Sequence, residues 1–182
     1  MNVQFTGTET KNSSYYETIL DGEHIPNDKD GKFINMYAAF DVYFVNGDNV
    51  RSQPFVSIED GTMENGKGRH EILKDGRTKL NIEPINKKLK ASPLNVTIKE
   101  FLVGTPAFDI FRCCNEILEK EKRKGFAYNI DGLIFTPCYM GVGGDSPGKQ
   151  GELRKRSWIH SFKWKPPEFN TIDFMVTTLK NA

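Results

Sequence analysis

The chain has 182 residues, 37% of them hydrophobic and 27% charged, with a net charge of +1 and a pI near 7.7. This suits one domain of ordinary size and excludes a disordered chain, and the near-neutral balance excludes bulk electrostatics as a basis for tight nonspecific nucleic-acid binding, so any anion site must be a local cluster. Three cysteines, Cys113, Cys114 and Cys138, cannot form a disulfide framework, and with His24, His70 and His160 far apart in sequence they do not suggest a zinc site; packed, reduced thiols in an intracellular, cytoplasmic setting are expected.

Residues 1–14 are polar and read as a loop with no apolar h-region; no later apolar run approaches the roughly 20 residues needed to span a bilayer, so no membrane partner is expected. Residues 15–25 read as a strand, and Pro26 to Lys32, with two Asp, a Gly and a Pro, as a turn. Residues 34–45, INMYAAFDVYFV, are a long apolar strand expected to be buried on both faces, and Asn46-Gly47-Asp48 is a hairpin signal leading to a short strand near 49–53.

Residues 54–92 are glycine- and lysine-rich and the least legible; a surface helix over 77–90 is expected there. Residues 94–103, LNVTIKEFLV, alternate like a strand. Thr105-Pro106 predicts a helix N-terminus, with Phe108, Phe111, Ile117 and Leu118 on one side, running to about Lys124 and stopping at Gly125. Strands are expected at 130–136, 157–165 and 171–179, with a mobile Gly-rich, then basic, loop over 141–156. The fold class is α+β, mostly antiparallel sheets with a few helices, without internal repeat or linker.

Four segments place charge inside apolar strands. In Ser161-Phe162-Lys163-Trp164-Lys165 the period-two alternation puts both lysines on one face and Phe162 and Trp164 on the other, the expected core face. Lysines roughly 6.5–7 Å apart repel unless an anion bridges them, and a polyphosphate is a natural bridge; an exposed edge strand guarded by lysine is the plainer reading of that pattern alone. In Leu20-Asp21-Gly22-Glu23, Asp21 and Glu23 are expected on one face, with Gly22 permitting close backbone approach. Asp131 opens the apolar run Asp131-Gly132-Leu133-Ile134-Phe135, where a buried carboxylate has to be paired or bind a metal. Phe40-Asp41 lies inside the strand over 34–45; by composition alone Phe40 is more often core than base-stacking.

Taken in order, D-G-E, F-D, D-G-L-I-F and K-W-K-P-P-x-x-N-T-I-D-F resemble the covalent nucleotidyltransferase superfamily, and the long last motif resembles the mRNA capping enzyme version, closest to the capping enzymes of large DNA viruses. The resemblance covers roughly residues 15–45 and 126–175. It implies a partial nucleotidyltransferase domain, ATP-grasp-like in its adenylation or guanylylation chemistry, spanning motifs III to V without the OB-fold. It implies an mRNA guanylyltransferase that moves GMP from GTP through a lysyl-GMP intermediate to 5′-diphosphate RNA, with the remainder of a larger capping enzyme as partner, in a viral factory or virion if the source is a virus.

The resemblance further implies that Lys163 and Lys165 hold the α-phosphate region, that Glu23 and Asp131 bind the ribose or a divalent Mg²⁺ or Mn²⁺, that Phe40 stacks on guanine, and that Asp173 acts late, during the second transfer. No Lys-x-Asp-Gly occurs in the chain: Lys29-Asp30-Gly31 and Lys74-Asp75-Gly76 are one residue too short and follow motif III. The chain alone is therefore expected to form no covalent guanylate. A polynucleotide ligase fragment and a degenerate, noncatalytic nucleotide-binding or structural module are the alternatives. Gly143 to Gln150 nearly spells a Walker A loop, but Gln150 replaces the Ser/Thr that would hold Mg²⁺. In the same loop Lys149, Arg154, Lys155 and Arg156 read as a solvated charge run before they read as an RNA contact.

Overall fold

The structure, a computed structural model, describes residues 3–7, 17–59, 62–64, 68–84, 93–152 and 157–178. Its centre is a twisted sheet built on one long strand. β1 (Val3–Gly7) lies apart from that sheet; β2 (Ile19–Asn27) pairs antiparallel with β3 (Phe33–Val45) along nearly its whole length. The turn between them is fixed by Asp28, whose carboxylate accepts from the amides of Asp30 and Lys32 while Gly31 takes a φ of +80°. Asn46 and Gly47, both at positive φ, close the predicted hairpin to β4 (Asp48–Asn49). The strand expected over 49–53 ends there, because Arg51 and Ser52 turn away.

β5 (Ser57–Glu59) and β6 (Thr62–Glu64) pair with each other. The expected helix over 77–90 forms earlier, as α1 (Arg69–Lys79), and β7 (Leu80–Pro84) follows it and pairs with β1; residues 85–90 lie outside the described residues. The shift has a physical reason: Arg69, His70 and Leu73 are buried against β3 and β8 (Asn95–Ile98), a tertiary gain that overrides the helix cost of Gly76. β8 runs parallel to β3, while every other strand pair among the described residues is antiparallel.

The core is consequently split by β3. Ala39, Val42, Val50 and Leu73 form one cluster, with Leu20, Ile72 and Ile98 against it, and Ile25, Met36 and Ala38 form another, with Ile34 and Tyr128. That is the two-sided burial the apolar run predicted.

The second helix, α2 (Ile110–Lys122), begins later than expected. Asp109 is its N-cap, accepting from the Arg112 amide at 2.9 Å, whereas Thr105 closes a separate turn by accepting from the Phe108 amide at 3.1 Å. It ends as expected: Lys124 turns to a φ of +58° and the Gly125 amide returns to the Lys120 carbonyl.

β9 (Leu133–Phe135) and β10 (Phe162–Trp164) form a two-stranded antiparallel pair. Phe162 and Trp164, expected in the core, are 64% and 43% exposed, because no described element packs over this short pair. A single turn of 3-10 helix at Pro167–Phe169 leads to residues 171–178, where the expected strand finds no ladder partner and stays exposed. The loop expected to be mobile is instead fastened. The Val142 amide donates to Arg51 O at 2.8 Å, Gly151 N to Val142 O at 2.8 Å, and Trp158 Nε1 to Gly144 O at 2.8 Å. Arg154, Lys155 and Arg156 lie outside the described residues. Among the described residues no helix is long and apolar enough to cross a membrane.

Candidate functional site

The register of β2 on β3 decides where Phe40 goes. Asp21 pairs with Asp41 and Gly22 with Ala39, so Phe40 has no partner in β2 and is the extra residue of a β-bulge. Bulges re-aim a side chain out of strict alternation. Gly22 sits at this irregularity, where a β-carbon would lie 2.7 Å from the Tyr37 ring and 2.8 Å from Ala38 O. Asp21 and Glu23, expected to act on one face, consequently go to different partners: Asp21 accepts from the Tyr43 hydroxyl, and Glu23 pairs with Lys99.

Lys99 follows β8 directly. Its amide donates to Ala39 O at 2.8 Å, which carries the side chain to Phe40. Its ammonium is 2.6 Å from Glu23 Oε2 and 5.7 Å from the centroid of the Phe40 ring. Tyr128 packs against the same part of the sheet, and its hydroxyl is pushed up by burial and then by the charges of Glu23 and Glu100. Glu23, Phe40, Lys99 and Tyr128 thus line one wall.

The other wall is the β9–β10 pair. Leu133 pairs with Trp164 and Ile134 with Lys163, so Gly132 runs directly under the Trp164 carbonyl, 1.9 Å from where a β-carbon would stand. A side chain there would prevent the strands from meeting, which explains the glycine after Asp131. Asp131 Oδ2 lies 2.6 Å from Lys165 Nζ, so this carboxylate is paired though exposed, not buried as its apolar neighbours suggested. The Lys165 hydrogen bond holds its carboxyl below the usual carboxylate range, and the Lys99 charge adds to that. Lys99 therefore acts weakly on Asp131 from the other wall.

Lys163 projects from β10 exposed and without an ion pair among the described residues. Asp173 lies in the exposed segment over 171–178, and among the described residues no hydrogen bond or ion pair joins it to the other candidates. Of the positions singled out in the sequence, Glu23 and Phe40 meet at Lys99, Asp131 meets Lys165, and Lys163 lies on β10 two residues before Lys165.

Two residues escaped the sequence reading. Lys99 was legible only as a polar position inside the alternating strand expected over 94–103, and nothing local predicted that β8 would lie parallel to β3 and deliver it to Phe40. Arg69 carried no signal. It is fully buried, its Nε lies 2.8 Å from Asp41 Oδ1 and its Nη2 3.0 Å from Oδ2, and its Nη1 donates to the carbonyls of Gln53 and Met140. Burial raises the Asp41 carboxyl above its ordinary range despite the pull of Arg69, but the bidentate geometry is that of an ionised pair.

No group of three or more His, Cys, Asp or Glu side chains able to hold a metal occurs among the described residues. Glu23 and Asp131 offer hard oxygen donors suited to Mg²⁺ or Mn²⁺, but each already faces an ammonium. They fit such an ion only where phosphate oxygens and water complete its shell.

The sequence pattern of the mRNA capping enzyme catalytic domain matches residues 1–167. The chain is similar to the mRNA-capping enzyme of Mus musculus, 28% identical over 174 residues that make up 95% of this chain and 24% of the relative. It is similar to that of Danio rerio, 26% identical over 98% of this chain and 25% of the relative, and to that of African swine fever virus, 29% identical over 87% of this chain and 14% of the relative. The chain thus spans about a quarter or less of the length of these relatives.

Proposed function

Since this chain belongs to the mRNA capping enzyme catalytic-domain family, we propose that its cleft is part of the guanylate pocket of an mRNA guanylyltransferase, the enzyme that carries GMP from GTP through lysyl-GMP to 5′-diphosphate RNA. The observation that carries this reading is the Glu23–Lys99 contact over the bulged Phe40 ring, with the Asp131–Lys165 contact near enough for the Lys99 charge to act on Asp131. A purine offers a π face to Phe40 and a triphosphate offers charge to the lysines. Binding the triphosphate would draw Lys165 from its carboxylate toward phosphate, freeing Asp131, with the exposed Lys163 free to join it.

In this reading the chain's residues position and neutralise, which is most of what phosphoryl transfer asks of a protein. Lys163 and Lys165 take the α-phosphate side, Phe40 the base, and Glu23 and Asp131 the ribose or, with phosphate oxygens, a divalent Mg²⁺ or Mn²⁺, which would supply further charge neutralisation. Asp173 belongs to the second transfer, to RNA. The rest of a larger capping enzyme supplies the lysine nucleophile, since no Lys-x-Asp-Gly occurs here.

Titration of the chain with GTP, GMP and guanosine tests the reading. Affinity should rise with phosphate number, and Lys165→Ala should remove that dependence. Equal affinity for all three, or an unchanged Lys165→Ala profile, would leave a noncatalytic module in its place. Incubation with α-labelled GTP and Mg²⁺ or Mn²⁺ should give no labelled band after denaturing electrophoresis; a band would refute the claim that the chain alone forms no covalent guanylate.

A further inference from the structure

We propose that Arg69 is a positioning residue whose buried guanidinium fastens the bulged strand carrying Phe40 to the segment that leaves β9, and thereby sets how the two walls of the cleft face each other. The inference rests on the reading of that cleft as a nucleotide pocket, but its geometric part stands without it.

The guanidinium reaches three separate stretches of chain. Nε and Nη2 hold both oxygens of Asp41, the residue after the bulged Phe40, and Nη1 donates to Gln53 O and to Met140 O, the latter at 3.1 Å. The stretches around Gln53 and Met140 are already joined by backbone: the amides of Phe55 and Val56 both donate to Cys138 O, at 2.7 and 3.2 Å. The Phe55 ring closes over the guanidinium at 5.6 Å.

Among the described residues, β9 and β10 pack mainly on each other and make no broad contact with the β2–β3–β8 sheet. The wall bearing Asp131 and Lys165 is therefore held to the wall bearing Phe40 through the chain on either side of β9, by Tyr128 before it and by the segment after it, and among the described residues Arg69 is a buried side chain that ties that later segment to β3. Only an arginine offers this planar fork of donors; a lysine offers a single charged point.

The test is ¹⁹F NMR of the 5-fluorotryptophan-labelled chain. Its two tryptophans, Trp158 and Trp164, report the fastened loop and the β10 wall. The key variant is the double substitution Arg69→Met with Asp41→Leu, because replacing both members of a buried ion pair by apolar groups of similar volume usually leaves a folded protein. We expect a cooperative thermal transition and native far-UV circular dichroism, but broadened or split Trp164 and Trp158 resonances and GTP affinity lowered at least tenfold. A purely structural role predicts that this folded variant keeps both wild-type resonances, and that result overturns the proposal. Should the double variant not fold, Arg69→Lys keeps a charge beside Asp41 while losing the fork; displaced resonances support the tie and unshifted ones overturn it. If the wild-type chain binds no GTP, the pocket reading fails, while the resonances alone still decide whether Arg69 orients the two walls.

Discussion

Asp21 and Asp41 lie directly opposite each other across β2 and β3. Like charges so placed destabilise a sheet, and the surroundings answer each one separately. Tyr43 donates its hydroxyl to Asp21, and Arg69 takes both oxygens of Asp41. Each carboxylate is thus tolerable only with its own donor. Asp41→Ala leaves a fully buried guanidinium unpaired and should cost roughly 3–5 kcal/mol, whereas Tyr43→Phe should cost roughly 1–2 kcal/mol. Urea denaturation midpoints at constant slope measure both; a neutral Asp41→Ala would mean that the pair contributes nothing to the fold.

The glycines give a contrasting set. Gly132→Ala forces a β-carbon to 1.9 Å from Trp164 O and should unpair β9 from β10 or cost roughly 1–3 kcal/mol. Gly76→Ala, inside α1 with nothing within 4 Å, should stabilise by roughly 0.5–1 kcal/mol. Thermal denaturation of the two variants should move in opposite directions; a shift of the same sign would contradict the packing described.

Acid should weaken the fold through His70. Its ring is buried between Phe55 and Phe101, its Nε2 has no hydrogen-bond partner among the described residues, and burial, then the Lys74 charge, lowers its affinity for a proton, with Glu71 and the Lys99 carbonyl opposing. Between that lowered value and the ordinary value of about 6.5, the unfolded chain takes up a proton the folded chain refuses. Stability present above this window is therefore lost as pH falls through it. His70→Gln should flatten the stability profile below about pH 6.5 relative to wild type; identical slopes would exclude His70 as the cause.

Asp131 should report its lysine. With Lys165→Met, the strongest of the influences holding its carboxyl down is removed, leaving the weaker pulls of a backbone hydrogen bond and of Lys99. The carboxyl midpoint, followed by carbon-detected NMR, should move up toward the ordinary carboxylate range, and an unmoved midpoint would show that the 2.6 Å contact is not populated in solution.

Lys99→Met removes the cation that joins Glu23 to the Phe40 ring. Loss of one charge-assisted contact is worth about 1.5 kcal/mol or more, so GTP binding should weaken roughly tenfold or more. Affinity unchanged within twofold would place the nucleotide elsewhere.

The sequence by itself determined what local chemistry can determine. The apolar run over 34–45 could be nothing but a buried strand, Asn46-Gly47 supplied the positive φ a tight hairpin needs, and Gly125 marked the end of α2 because the helix there returns its last amides to carbonyls. The order of the charged motifs likewise made Glu23, Phe40, Asp131 and Lys165 visible as candidates. What only the tertiary structure decided are the relations whose partners lie far apart along the chain. The bulge that frees Phe40 depends on the register of two strands. Arg69 is recognisable only beside Asp41, 28 residues away, and Lys99 only beside Glu23, 76 residues away. Helix and turn signals come from neighbours within a few residues, whereas a buried ion pair or a cleft wall owes its energy to groups that meet only once the chain has folded.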